Sequence, residues 1–246
     1  NPMLQIEDRD AFIDRKVNEN HYQPPYFRLM EHLNLVGGKA APRVLKPQPM
    51  TLDELSSCDA ARVIDVREPL AYAAGHLPGS INLPVGMIPA FAGWFIAEDE
   101  KLALVASSHD QLATSMEHLV RIALDDIVGG YVGVVPAAAS GKPMRSIPMI
   151  GTDEVERRLQ EDRDDWTLLD VRDADERQSK AIEGSRHIYV GELNEKWKDL
   201  DRGQQYTLMC ASGMRATVAA GWLDANGFDH LDVFLGSMGA WKAAHS

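Results

Sequence analysis

Two kinds of apolar pattern alternate along this chain. Short, uniformly apolar runs predict buried strands, and apolar residues recurring every three or four positions predict amphipathic helices. Arg62 to Val66 and Lys101 to Ala106 are runs of the first kind. Leu112, Met116, Leu119, Val120, Ala123 and Leu124 then recur at helical spacing. Further on, Thr167 to Val171, Tyr206 to Met209 and His230 to Phe234 predict strands, and Val218, Trp222 and Leu223 mark the apolar face of a helix between the last two. Boundary residues agree with this. Thr51 and Glu54 fit a capping box, and Thr152 with Asp153 and Glu154 opens a helix whose N-terminus favours acidic groups. Asn226-Gly227 ends the later helix with a left-handed cap, against which Phe228 packs back. Strands that are apolar throughout, interleaved with helices, predict an α/β fold with mostly parallel sheets covered on both faces. In such sheets, sites form where strand C-termini feed loops into helices.

The pattern occurs twice. Val63-Ile64-Asp65-Val66-Arg67-Glu68 matches Leu168-Leu169-Asp170-Val171-Arg172-Asp173, Gly79-Ser80 matches Gly184-Ser185, and Val85-Gly86 matches Val190-Gly191, all at one offset of 105 residues. Three blocks in one register indicate duplication, and the period suits a small domain rather than a solenoid. The expected organisation is an N-terminal helical segment over 1–45, a first domain over 46–140 and a second over 146–246. Pro136 to Pro148, rich in Pro, Ser, Gly and Ala, reads as the exposed connection.

A net charge of −12 argues against nucleic acid or an anionic membrane as partner. No apolar run approaches a membrane span, and the N-terminus lacks a signal-peptide core. The chain begins with Asn, and a processed or excised piece is expected. Two cysteines, Cys58 and Cys210, suit a reducing cytoplasm rather than a disulfide scaffold. The histidines are scattered without ligand spacing, so neither a metal nor another cofactor is expected.

The chemistry concentrates in Cys210-Ala211-Ser212-Gly213-Met214-Arg215. A strand delivers Cys210 to the sheet edge, and Arg215 falls at the start of the next helix. The helix N-terminus and the guanidinium both favour a thiolate, which is the nucleophile. Ala211, Ser212 and Gly213 are small, and a positive φ at Gly213 would turn the loop amides inward as an anion nest. The plainer reading, an inert buried thiol, leaves this Gly and Arg spacing unexplained.

The Asp-Val-Arg strand, Gly184-Ser185, the Cys-x-x-Gly-x-Arg loop and Gly236-Ser237-Met238-Gly239-Ala240-Trp241 together resemble the rhodanese family over most of residues 150 to 246. The resemblance implies a five-stranded parallel core and double displacement. A thiosulfate or persulfide donor would load Cys210 with sulfur, and a thiol or cyanide acceptor would remove it. It also implies that Arg215 orders the loop and attracts the anionic donor, while the amides of Ala211 to Arg215 cradle the sulfur. The six-residue loop resembles the sulfurtransferases; phosphatase relatives have one residue more. Other readings are a persulfide-carrier or redox module serving a partner domain, and a phosphatase or arsenate reductase of the same fold.

The first repeat looks catalytically silent. It keeps the frame through Gly75-His76-Leu77-Pro78, where the second has Lys180-Ala181-Ile182-Glu183, but Ala106 and Gln111 stand where Cys and Arg should be. Ser107, Ser108, His109 and Asp110 are too close in sequence to form a hydrolytic triad. Cys58 is expected to be a bystander and Trp241 a packing anchor. Asp65, Arg67, Asp170 and Arg172 are expected to be structural ion pairs. Before the repeats, Asp10 to Val17 predicts one helix, and Pro24-Pro25 precedes a second over Tyr26 to Asn34, ended by Gly37-Gly38. This segment resembles the end of a metallo-β-lactamase-fold domain in bacterial persulfide dioxygenase–rhodanese fusions, implying a fused or associated dioxygenase domain. Its other reading is a helical arm packed on the first domain.

Overall fold

Asp65 and Asp170 end equivalent strands of two parallel sheets, and the rest of the architecture repeats around them. The computed structural model describes residues 5–18, 22–38, 40, 46–161 and 163–245. The expected boundary near 45 therefore lies outside the described residues.

The arm comprises α1 (Arg9–Val17) and α2 (Tyr26–Val36). Asp8 caps α1, and Gly37, at φ 87°, ends α2. Neither helix buries a residue of its own, but Tyr26 occupies the space a side chain at Gly93 would need.

The first repeat runs α3 (Leu52–Ser57), β1 (Arg62–Asp65), α4 (Pro69–Ala74), β2 (Ile81–Asn82), α5 (Ile88–Phe95), β3 (Leu102–Ala106), α6 (His109–Val120), β4 (Ile127–Val132) and α7 (Val134–Ala139). The second runs β5 (Met149–Ile150), α8 (Thr152–Gln160), β6 (Trp166–Asp170), α9 (Ala174–Ser179), β7 (Arg186–His187), α10 (Leu193–Lys196), β8 (Gln205–Met209), α11 (Met214–Ala225), β9 (Leu231–Phe234) and α12 (Ser237–Ala244). The sheet orders are β2-β1-β3-β4 and β5-β9-β8-β6-β7, and every strand pairing among the described residues is parallel. Pro49 bridges Gly130 where the second sheet has its fifth strand.

The Thr51–Glu54 capping box forms, and Gly227, at φ 85°, follows α11 with Phe228 buried behind it. Two expectations need correction. The helix through Leu112 stops at Val120, before Ala123 and Leu124, because Ala123 turns into the left-handed region at φ 60°. The supposed linker starts with structure: Pro136 and the alanines belong to α7, whose Val134 and Ala137 are buried. Proline is tolerated in a first helical turn because no intrahelical partner exists there for its missing N–H.

One apolar cluster runs through both repeats, from Ile64 and Leu104 to Leu208 and Val233. Its centre is α11, buried from Ala216 to Asp224. Only a helix covered on nearly every side reads this way. Gly221 permits the close approach to the first repeat, since a Cβ there would lie 3.0 Å from the Asn82 amide nitrogen and the Tyr72 hydroxyl. At its far end Asp224 accepts from Arg145 Nε at 2.7 Å and faces His76 Nε2 at 3.3 Å. His76 and Arg145 also exchange backbone hydrogen bonds. The Gly-His-x-Pro segment of the first repeat is thus used to clasp α11, a task with no counterpart at Lys180 to Glu183. No helix among the described residues is long and apolar enough to cross a membrane.

Candidate active site

The β8 strand places Cys210 at its C-terminal end, between β6 and β9. Its residue is 1% exposed, and the Gly213 amide points at Sγ at 3.1 Å. Gly213 has φ 108° and immediately precedes α11. That conformation is open to glycine and costly for other residues, and it is what swings the amide onto the sulfur.

The loop carbonyls face the other way. The first turn of α12 takes them up: Met238 N–H donates to the Cys210 carbonyl at 3.1 Å and Gly239 N–H to that of Ala211 at 2.9 Å. The Gly213 carbonyl accepts from Thr217 Oγ1 at 3.0 Å. Ser237 Oγ accepts the Cys210 amide at 3.1 Å and donates to the Phe234 carbonyl at 2.9 Å. Ser237 does this at φ 50°, a conformation uncommon outside glycine. A loop with its carbonyls drawn outward leaves a positive interior, suited to a sulfur anion.

Arg215, on the first turn of α11, donates to Glu176 from Nη1 at 2.5 Å and from Nη2 at 2.7 Å. Glu176 also belongs to the capping box with Asp173 at the start of α9. Hydrogen bonds from Arg215 hold the Glu176 carboxyl down at about 2, against the cost of its burial. Burial works against the charge on Arg215, but Glu176 and the nearby Cys210 sulfur more than offset it and raise its pKa. Burial lifts the Asp173 carboxyl. Of the predicted residues, Cys210 and Gly213 are therefore in contact, Ala211 is tied to α12, and Arg215 acts on the sulfur through its field while hydrogen-bonded elsewhere. Ser212 and Met214 flank a cavity that also touches the first repeat.

Three aromatic side chains gather beside this pair. Tyr189 stacks on Tyr22 of the arm, ring centres 4.0 Å apart, and meets the edge of Trp94 from α5 at 5.7 Å. Burial raises the Tyr189 hydroxyl, and the charge of Arg215 opposes that. Glu176 and Tyr189 are candidate site residues that sequence reasoning did not single out, and Ser237 entered it only as part of the Gly236 to Trp241 block. A signal for the first existed: the position equivalent to Glu176 in the first repeat is Ala71, so Glu and Arg are missing there together.

In the first repeat the strand register equates Ala106 with Cys210, since Val105 pairs with Asp65 as Met209 pairs with Asp170. The following helix starts one residue sooner. Gln111 turns back, its Oε1 accepting the Ser107 amide at 2.8 Å, and Ser108 caps α6. The loop is thus closed by its own side chains.

The Asp-Val-Arg residues are structural, as expected. Arg67 grips Asp65 and donates to the carbonyls of Ala71 and Gly75; Arg172 grips Asp170 and donates to those of Glu176 and Lys180. Burial raises Asp65 despite the guanidinium. Cys58 lies at the end of α3, donating to the Leu55 carbonyl at 3.2 Å, away from this loop. Trp241 packs edge-on against Phe234.

The model of the rhodanese-like domain matches residues 49–135 and again 151–244. The chain belongs to the rhodanese-like family. Both repeats are rhodanese-like domains. The chain is 33% identical over 96 residues to YtwF of Bacillus subtilis (strain 168), a protein designated a sulfurtransferase, covering 39% of this chain and 91% of that one. It is 28% identical over 85 residues to the thiosulfate sulfurtransferase GlpE of Pseudoalteromonas translucida, covering 35% and 81%. Among solved structures it is similar to a rhodanese-related protein from Thermoplasma volcanium, with 29% identity, a TM-score of 0.36 and coverage of 39% and 92%.

Proposed function

We propose that this rhodanese-like tandem is a sulfurtransferase that carries sulfane sulfur on Cys210 as a persulfide. The observation carrying this reading is the Gly213 amide aimed at Sγ, within a loop whose carbonyls are bound on its outer side. The Cys210 thiolate attacks the outer sulfur of thiosulfate, the S–S bond of the donor breaks, and sulfite leaves with the bonding pair. The Cys210 persulfide then meets an acceptor thiolate or cyanide, which takes the outer sulfur and returns Cys210 as thiolate. A persulfide donor reacts in the same way, releasing a thiolate. The inward amide of Gly213 and the field of Arg215 stabilise the anionic sulfur throughout. Because Glu176 occupies both guanidinium ends, Arg215 orders the loop first and attracts the donor second.

The partners in this reading are a small sulfur donor and a thiol acceptor in a reducing cytoplasm; the net charge of −12 disfavours nucleic acid and anionic membrane. The arm, whose helices bury none of their own residues, would be the tail of a metallo-β-lactamase-fold persulfide dioxygenase domain.

Intact mass after treatment with thiosulfate tests the proposal. The wild type is expected to gain one sulfur atom and Cys210→Ser none; a gain retained by the serine variant would end it. Multiple turnover with free donor and acceptor separates an enzyme from a persulfide carrier that waits on a partner domain.

A further inference from the structure

Leu70, Met214 and Leu235 are large apolar side chains left 60%, 42% and 50% exposed. They come from three separate elements: the start of α4, the start of α11 and the turn after β9. All three open onto one cavity of about 410 Å³. That volume suits a small molecule, and such sites are mostly apolar and favour domain interfaces. Met149 and Val233 add apolar surface, and the active loop itself contributes Ser212 and Gly213. Gly213 is the residue whose amide reaches the sulfur. Two other cavities, of about 550 and 480 Å³, are lined by residues such as Gln205 and Trp166 at the opposite ends of the strands, away from the loop.

The wall from the first repeat is Glu68, Pro69 and Leu70, the turn that follows its Asp-Val-Arg strand. In the second repeat the same turn is Asp173 to Asp175, which stands beside Arg215 through Glu176. The silent repeat thus presents, to the loop of its neighbour, the turn that would have bordered its own site.

We infer that this cavity holds the carbon body of the sulfur acceptor, and that the acceptor is an uncharged aliphatic thiol; the inference rests on the sulfurtransferase reading above. A thiosulfate dianion gains nothing from an apolar wall, and the one charged group lining it, Glu68, repels that dianion. The acceptor must carry carbon, and leucine and methionine side chains left in water favour covering by it. The acceptor loses its proton to water, its thiolate attacks the outer sulfur of the Cys210 persulfide, and a new S–S bond forms. The old S–S bond breaks towards Cys210, which leaves as thiolate, so charge and sulfur balance with no added oxidant or reductant.

The test loads the 246-residue chain with thiosulfate and follows discharge of the Cys210 persulfide by straight-chain thiols from ethanethiol to hexanethiol. Their thiol acidity barely varies, so a chain-length slope reports burial of carbon. The wild-type discharge rate is expected to rise about three- to fourfold for each added methylene. Leu70→Asn and Leu235→Asn each flatten that slope, while loading by thiosulfate stays unchanged. Both side chains are already half in water, so neither replacement removes core packing. A flat slope in the wild type, or an unchanged slope in both variants, overturns the inference and leaves the persulfide chemistry standing. Failure to load at all strikes the sulfurtransferase reading instead, and this inference falls with it.

Discussion

Arg215 and Glu176 are joined by two hydrogen bonds, at 2.5 and 2.7 Å, that lock the first turn of α11 to the first turn of α9. Neither partner survives in the first repeat, where the two positions are Gln111 and Ala71. A pair lost as a unit behaves as a unit. Glu176→Gln and Arg215→Gln are each expected to lower kcat/KM for sulfur transfer by roughly tenfold, with the double variant little worse than either single one. Steady-state kinetics on the four proteins decides this; additive losses would show two independent roles.

The same pair gives a pH signature. Arg215 holds Glu176 at about 2, below the ordinary glutamate value of 4.5. A carboxyl depressed in the folded state contributes stability that is fully present above its unfolded value and is lost as pH falls through its folded one. The gap in urea midpoint between wild type and Glu176→Gln is therefore expected to hold above pH 4.5 and to close towards pH 2. A gap that persists at the lower end of that range would assign it to packing.

Gly213→Ala separates conformation from space. A Cβ there would meet nothing nearer than 3.8 Å, so the cost comes from φ 108° alone. The left-handed region costs a residue with a Cβ about 1 to 2 kcal/mol, and relief of that strain turns the amide off the sulfur. The expected outcome is a modest loss in thermal stability with a much larger loss in the rate of persulfide formation. Equal effects on both would mean that the amide is not positioned for the sulfur.

Restoring the missing nucleophile should not restore chemistry. In a Cys210→Ser background, Ala106→Cys is expected to gain no sulfur from thiosulfate, because the Ser107 amide is already taken by Gln111 and no glycine turns the loop inward. A mass gain on the introduced thiol would show that the scaffold of the first repeat is competent.

Asp224 ties the repeats together through His76 and Arg145. Asp224→Ala leaves both without their buried acceptor, at a cost of about 1 to 3 kcal/mol. Urea unfolding is expected to remain a single transition, shifted to lower concentration. Two resolved transitions would mean that the shared cluster around α11 does not couple the repeats.

β1, β3, β6, β8 and β9, the Thr51–Glu54 box and the cap at Gly227 were legible because each depends on neighbours in sequence, whereas the two-residue strands β2, β5 and β7 are too short to leave a pattern. The Cys210 to Arg215 loop was legible for the same reason: Cys210, Gly213 and Arg215 lie close together along the chain. β4 was not, because Gly129-Gly130 interrupts its apolar run. Those glycines are there for space, since side chains at them would collide with Met50 and Leu112, which no local pattern reveals. α7 was hidden by Pro136 and its alanines, which imitate a linker. Glu176 and Tyr189 were missed because they reach the loop through the fold rather than the chain, as does the wall formed by Leu70.

The twelve residues of α11 carry the Cys210 loop at one tip and the His76–Arg145 clasp at the other, with nearly all the length between them wrapped in apolar contacts from both repeats. Cutting the chain down to its second repeat would therefore strip one side of that rod and leave Ala, Val and Trp side chains bare to solvent. The first repeat thus serves as cladding for the helix that opens just after the Cys210 loop.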